Sequence, residues 1–414
     1  MQYGLIGEKL GHSFSAVIHA MLKSNPYELV ELPSDEIEAF LSQKDFCAIN
    51  VTVPYKTTVI PYLSHISERA RAIGAVNTVV NRGGELWGYN TDFYGICALV
   101  AHADISLNNK KVAILGTGGT SKTVHAVAAF LGAAEVLLVS RRSGEGVVTY
   151  AELYENHTDI EVIFNTTPVG MYPNSEAAPV DVSAFPKLEG VIDTIYNPLR
   201  TQLVLDAQKR GIPAEGGLYM LVAQAVRASE FFLDCTYDDG TIERIYQTLL
   251  GQMQNLVLSG MPASGKSTVG KLLAQELNRP FFDLDEEIVH VAGRTIPEIF
   301  ATEGETAFRD IETRVLRELF ANQKGIVLAT GGGAILRDEN VDFLRRNGKI
   351  YFIDRPLEDL IPTSNRPLAS SREAICRRYE ERYERYCQTA DCHIDGKGSV
   401  EEVAARIRKD FETL

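Results

Sequence analysis

The chain has 414 residues, 45% hydrophobic and 23% charged, the composition of a folded protein too long for one ordinary hydrophobic core. Its net charge is −14, and the part after Gly251 (23 Lys+Arg against 27 Asp+Glu) is acidic like the part before it (18 against 28), which argues against a nucleic-acid surface. The six cysteines form no C-x-x-C pair and no Cys/His group with zinc spacing, and the most apolar stretch, Val124 to Val139, is broken by Gly132 and Glu135; reduced thiols, a cytoplasmic location and no membrane span are expected.

In chain order, the strand-like "YGLIG" leads into "GHSFS", where an extended segment would set Ser13 and Ser15 on one side, two hydroxyls able to hold one carboxylate. "INVTVPYK" then brings Asn50, Thr52 and Lys56, "GAVNTVV" brings Asn77, and "GYNTDFYG" brings Asp92. Each has a plain alternative, because Asn and Asp also make turns and a lysine also decorates a surface. Beyond them, β-rich runs alternate with helical patterns: "KVAILG" with Thr120 to Leu131, "EVLLVS", "VIFNT", "GVIDTIY", then "NLVLSG" with Lys266 to Leu277, "GIVLAT" and "KIYFID". That alternation predicts α/β domains built on parallel sheets. A helical run from about Thr241 is expected to end near Gly251, leaving a short connection to the strand at Asn255.

Two glycine-rich loops of different design lie in this pattern. In "VAILGTGGTSKT", Gly116, Gly118 and Gly119 join a strand to a helix, where missing side chains let the backbone approach a pyrophosphate and the helix start supplies amide donors. The next strand ends in Arg141 and Arg142, where an NAD-selective fold has a carboxylate; two guanidiniums suit the 2′-phosphate of NADP, although arginines after a strand are often simply solvated. The second loop, Gly260 to Ser267, fits G-x-x-x-x-G-K-[ST] between a strand and a helix: amides cradle phosphates, Lys266 reaches the outer ones and Ser267 ligates Mg²⁺. After it, "FDLDEE" is expected to set Asp283 and Asp285 on one side of a strand end, "FRDIE" puts Arg309 on a helix, "ATGGGA" offers Gly331, Gly332 and Gly333 as backbone contacts, and "SNRPLA" holds Arg366 in a loop.

From Tyr3 to about Gly251 the chain resembles shikimate dehydrogenase, through the serine pair, the Asn-x-Thr-x-Pro-x-Lys motif, "GAVNT", "NTD", the first glycine loop, "NTTPVGM", "IDTIYNP" and "GGLYMLVAQA". The resemblance implies that Ser13 and Ser15 hold the substrate carboxylate, that Asn50, Thr52, Asn77, Asp92, Tyr196 and Gln224 surround the ring, that Lys56 and Asp92 form the catalytic pair, and that Thr120 joins the glycines and arginines in holding NADP(H). Ala16 and Ala20 stand where the family usually has Pro and Asn.

Asn255 to Leu414 resembles shikimate kinase. This implies ATP on the second loop with Thr268 beside Ser267, Mg²⁺ at Ser267 and Asp283, Asp285 at the acceptor hydroxyl, Arg309 and Arg382 on the shikimate carboxylate, and Arg366 closing over the phosphates. In the arginine-rich "REAICRRYEERYERY", Arg378 or Arg385 is an alternative to Arg382; Arg355 and Asp395 read as structural. The expected organisation is a substrate domain at 1–100 completed by 216–251, a Rossmann NADP domain at 101–215, and a P-loop kinase domain of the nucleoside monophosphate kinase type at 254–414. The expected partners are small molecules, not nucleic acid or membrane. Two competitors remain: a quinate-preferring dehydrogenase, expected to favour NAD, against which the pair Arg141 and Arg142 speaks, and a regulatory protein built from inactive domains, which would be expected to have lost catalytic groups, whereas Lys56, Asp92, Lys266, Asp283 and Asp285 are all present.

Overall fold

Three separate sheets organise the chain in a computed structural model that describes residues 1–11, 13–24, 26–360 and 371–412. The chain divides into two units, Met1–Gln247 and Thr248–Leu414.

The first unit holds two of the sheets. One is mixed, in the order Tyr27–Glu31, Tyr3–Gly7, Ala48–Val51, Thr78–Arg82, Glu85–Tyr89, His65–Ile66, with antiparallel pairing only where Thr78–Arg82 meets its two neighbours. The Tyr3–Gly7 strand is buried throughout, as a central strand covered on both faces must be. Trp87, the single tryptophan, lies in Glu85–Tyr89 with its ring 4.0 Å from that of His65.

The other sheet is wholly parallel, in the order Ala214–Glu215, Gly190–Asp193, Val162–Asn165, Lys111–Leu115, Glu135–Ser140, Val147–Thr149. The chain leaves Lys111–Leu115 to one side and returns on the other, so the crevice beyond that strand's carboxyl end is the place where a doubly wound sheet takes a ligand. Helices Asp92–His102 and Leu218–Leu233 pack closely: a Cβ on Gly95 would lie 2.8 Å from the Met220 carbonyl oxygen.

The second unit has a five-stranded parallel sheet, ordered Phe281–Asp283, Val327–Ala329, Asn255–Ser259, Gly348–Asp354, Cys392–Asp395. The division between the units falls inside helix Thr241–Met253. The last turn of that helix is tied into the second unit: Arg279 donates to the carbonyls of Gly251 and, at 2.7 Å, Gln254, while Gly325 N–H reaches Met253 O at 3.3 Å. Among the described residues no helix is long and apolar enough to cross a membrane, and all six cysteines are free thiols.

Candidate active sites

A recess of about 370 Å³ in the first unit is lined by Ser13, Ser15, Asn50, Thr52, Lys56, Asn77, Asp92, Tyr196 and Gln224, residues spread over more than two hundred positions of sequence. The side-chain amides of Asn50 and Asn77 are fixed mainly by neighbouring hydroxyls. Asn50 accepts from the Tyr27 hydroxyl at 2.7 Å and donates to Thr78 Oγ1 at 3.2 Å; Asn77 accepts from Thr91 N–H at 2.7 Å and donates to Thr91 Oγ1 at 3.0 Å. Lys56 Nζ donates to Asp92 Oδ2 at 2.6 Å, with the two side chains only 13% and 7% exposed. Asp92 opens helix Asp92–His102, so the positive end of the helix supports its carboxylate as well.

The serine pair sits differently from the extended arrangement expected. Ser15 begins helix Ser15–Met21 and its N–H donates to Ser13 Oγ at 3.2 Å, because a serine just before a helix satisfies an otherwise unpaired amide. Both hydroxyls still line the recess.

The first glycine loop meets this recess. A Cβ on Gly119 would lie 3.7 Å from Lys56 Cδ, so the loop backbone runs beside the lysine stem. Gly116 has φ +110°, and a Cβ there would meet Thr166 Oγ1 at 2.7 Å; a Cβ on Gly118 would meet nothing within 4 Å. Helix Gly119–Phe130 has no side-chain cap, which leaves its first amides for a ligand, and Arg141 and Arg142 stand exposed just past Glu135–Ser140. An open cradle, uncapped amides and two guanidiniums fit a phosphorylated dinucleotide.

Two buried groups here carried no role in the sequence reading. Asp193, fully buried, accepts from Asn165 Nδ2 at 3.1 Å, Ile195 N–H at 3.0 Å and Thr201 Oγ1 at 2.7 Å, and burial pushes its carboxyl up to about 6 against those donors. It ties the "NTTPVGM" and "IDTIYNP" segments together beneath Thr194 and Tyr196, which line the recess. His19 stacks on Tyr27 at 3.9 Å and shares a 2.6 Å hydrogen bond with Ser24 Oγ; burial holds its imidazole down to about 3. The sequence signal for Asp193 was its place in a quoted motif; His19 had none.

In the second unit a recess of about 550 Å³ is lined by Ser267, Asp283, Asp285, Arg309, Glu312, Gly331, Gly332, Gly333 and Arg382, among others. Asp283 and Asp285 do not share a strand as expected. Asp283 ends Phe281–Asp283 and caps helix Leu284–Ala292, accepting from Asp285 N–H at 3.0 Å, because a carboxylate at that junction satisfies a free helix amide. Ser267 Oγ donates to Asp283 Oδ2 at 2.5 Å, and Lys266, nearly buried, donates to Gly260 O and Met261 O at 2.9 Å each. A hydroxyl and a carboxylate already in contact at the loop are a fitting donor set for Mg²⁺. Gly265 has φ +92°, and a Cβ there would lie 3.9 Å from Arg355 Nη1, so Arg355, read from sequence as structural, borders the phosphate loop.

Arg309, on helix Ile296–Asn322, donates to Glu312 Oε2 at 2.8 Å and to Glu305 at 3.1 Å. Glu312 is fully buried, and burial raises its carboxyl against the pull of Arg309; the sequence reading gave it no role, though its i, i+3 spacing from Arg309 was visible. The Arg309 guanidinium lies so close over Gly333 that any Cβ there would collide with it. Of the three candidate arginines on helix Arg372–Thr389, Arg382 is the one that lines the recess, donating to Gly332 O at 3.1 Å; Arg385 is bound to Ile335 O and Asp338, and Arg378 to Ala374 O. Arg366 lies outside the described residues.

Comparison with known proteins fits both units. The family model described as shikimate dehydrogenase substrate binding domain matches residues 5–79. Over 265 residues the chain is 36% identical to a shikimate dehydrogenase (NADP⁺) of Clostridium perfringens, covering 60% of this chain and 97% of that protein. The chain belongs to the shikimate dehydrogenase family. Its second unit carries a shikimate kinase domain, whose family model matches residues 262–412. It is an enzyme that joins an oxidoreductase to a kinase. Among solved structures, the dehydrogenase part is similar to a chorismate mutase/shikimate 5-dehydrogenase fusion protein from Clostridium acetobutylicum, at 35% identity and TM-score 0.56 over 60% of this chain and 96% of that one. A quinate dehydrogenase from Corynebacterium glutamicum in complex with NAD is similar at 26% identity and TM-score 0.53, covering 60% and 98%. The names of these similar proteins include both NADP⁺ and NAD.

Proposed function

We propose that the chain carries out two consecutive steps towards chorismate: reduction of 3-dehydroshikimate to shikimate, then phosphorylation of the shikimate 3-hydroxyl. What supports this reading is that all nine side chains implied for shikimate in the dehydrogenase line one recess, with the cofactor loop beside Lys56, and that Asp285, Arg309 and Arg382 line the other. When bound, NADPH supplies the hydride and MgATP the phosphoryl group.

In the first unit Ser13 and Ser15 hold the substrate carboxylate, and Asn50, Thr52, Asn77 and Gln224 select the ring hydroxyls. Lys56 Nζ gives its proton to the C3 oxygen as that oxygen gains charge, and Asp92, 2.6 Å away, keeps the ammonium and the oxygen aligned. Arg141 and Arg142 support NADPH as the cofactor, since each guanidinium can pair with a 2′-phosphate that NADH lacks. In the second unit Arg309 and Arg382 take the shikimate carboxylate, and Asp285 accepts the proton of the 3-hydroxyl. Lys266 and Arg366 balance the charge on the transferred group, with Ser267 and Asp283 as metal ligands. The free thiols accord with a reducing cytoplasm.

The test is one coupled assay with 3-dehydroshikimate, NADPH and MgATP. Shikimate 3-phosphate should accumulate in step with NADPH oxidation. Quinate oxidation with NAD⁺ exceeding shikimate oxidation with NADP⁺, or a failure to phosphorylate added shikimate, would reject the reading.

A further inference from the structure

A third recess, about 680 Å³, lies in the first unit between helices Glu68–Ile73, Asp92–His102, Gly119–Phe130 and Leu218–Leu233, and shares no lining residue with the substrate recess. Its volume is within the roughly 300–1,000 Å³ of small-molecule sites. Rings and guanidiniums dominate its wall. The Arg69 guanidinium carbon lies 4.3 Å from the centroid of Phe93 and 4.8 Å from that of Tyr94, and the Arg227 carbon 4.9 Å from Tyr94 and 4.5 Å from Phe231. Phe130, 65% exposed, stands at the rim.

The two arginines differ in how far their donors are used. Arg69 is half-buried, and its guanidinium has no hydrogen-bond or ion-pair partner among the described residues. Arg227 pairs with Glu230 at 2.6 Å, and its side chain remains 35% exposed. Glu68, a carboxylate on the wall, is exposed. Aromatic faces steady a guanidinium without using its donors, so its in-plane edge stays available to a planar anion, and a carboxylate matches that edge bidentately. The surrounding rings give the rest of the ligand an apolar, stacking environment.

The geometry points to a binding site for a small aromatic carboxylate in this recess, separate from both catalytic recesses. The test titrates the full chain with benzoate by calorimetry in saturating shikimate, which occupies the catalytic recesses. Saturable one-to-one binding is expected, weakened at least tenfold in Arg69→Gln and in Arg227→Gln while melting temperature and NADPH oxidation match the parent. Benzamide and cyclohexanecarboxylate, which lack the charge and the ring respectively, should each bind at least tenfold more weakly. Should an arginine variant fold poorly, Phe130→Ser at the exposed rim gives the same reading. No benzoate binding, equal binding by cyclohexanecarboxylate, or affinity unchanged in the variants would overturn the assignment.

Discussion

Replacing Lys56 by methionine keeps the stem and removes the ammonium, leaving the Asp92 carboxylate, 7% exposed, without its cation. Removing one partner of a buried pair costs about 3–5 kcal/mol; the lysine is 13% exposed, so the low end, about 3 kcal/mol, applies. For a unit the size of Met1–Gln247, each kcal/mol moves the melting temperature by roughly 2–4 °C, giving a drop of about 6–12 °C. Trp87, the single tryptophan, reports that transition from the first unit alone. Adding Asp92→Asn removes the stranded charge, so the double variant should regain most of the lost stability. Catalysis should behave otherwise: NADPH oxidation falls at least about 100-fold in Lys56→Met because the proton donor is gone, and the second substitution does not restore it. Phosphorylation of added shikimate continues in both. If Lys56→Met still oxidises NADPH within a few-fold of the parent, or if turnover returns together with stability in the double variant, Lys56 is only a structural partner of Asp92.

Arg141→Ala with Arg142→Ala should raise the KM for NADPH by about 10- to 100-fold, from about 1.5–3 kcal/mol of charged hydrogen bonding, and leave that for NADH nearly unchanged; equal losses would make the arginines structural. Asp285→Asn keeps shape and removes the base, so kinase turnover should collapse while equilibrium dialysis still finds MgATP bound; near-normal turnover would move the acceptor role elsewhere. Gly333→Ala should raise the kinase KM for shikimate, because the new methyl displaces the Arg309 guanidinium; an unchanged KM would remove Arg309 from the carboxylate site. His19, held near 3 by burial, stabilises the first unit fully above its unfolded value of about 6.5 and loses that contribution as pH falls towards 3. Asp193, raised to about 6, acts oppositely, its contribution being lost as pH rises through that value, so the comparison must be between variant and parent. His19→Gln should flatten the acid side of the urea midpoint read by Trp87 fluorescence; a slope equal to the parent's would exclude His19.

The glycine loops, Lys56, Asp92, Lys266 and the aspartates stand out in the sequence because the chemistry proposed for them needs particular residue types at short spacings next to a strand end or a helix start. Local geometry at two of those places was misread. Ser15 opens one helix and Asp285 lies in the first turn of another, where extended chain was expected, since the unpaired amides of a helix start capture the side chain just before them. Asp193, His19 and Glu312 escaped because burial gave them their character, and burial comes from strands and helices distant in sequence. The choice among Arg378, Arg382 and Arg385 was beyond helical spacing for the same reason: Arg382 is singled out by Gly332, fifty residues away.

Helix Thr241–Met253 bears on how this chain could be divided. The kinase match starts at residue 262 and its first strand at Asn255, which makes the preceding residues look like a dispensable connection. Yet Gly251, Met253 and Gln254 are bonded to Arg279 and Gly325, on the kinase side of the boundary. A kinase expressed from Asn255 would leave the Arg279 guanidinium, which burial already disfavours, without those acceptors. Proteases, which need extended chain, would find no such segment between Thr241 and Met253. Separating the two genes of such a fusion therefore means cutting upstream of the helix's last turn, at about Thr248, and letting the kinase keep it.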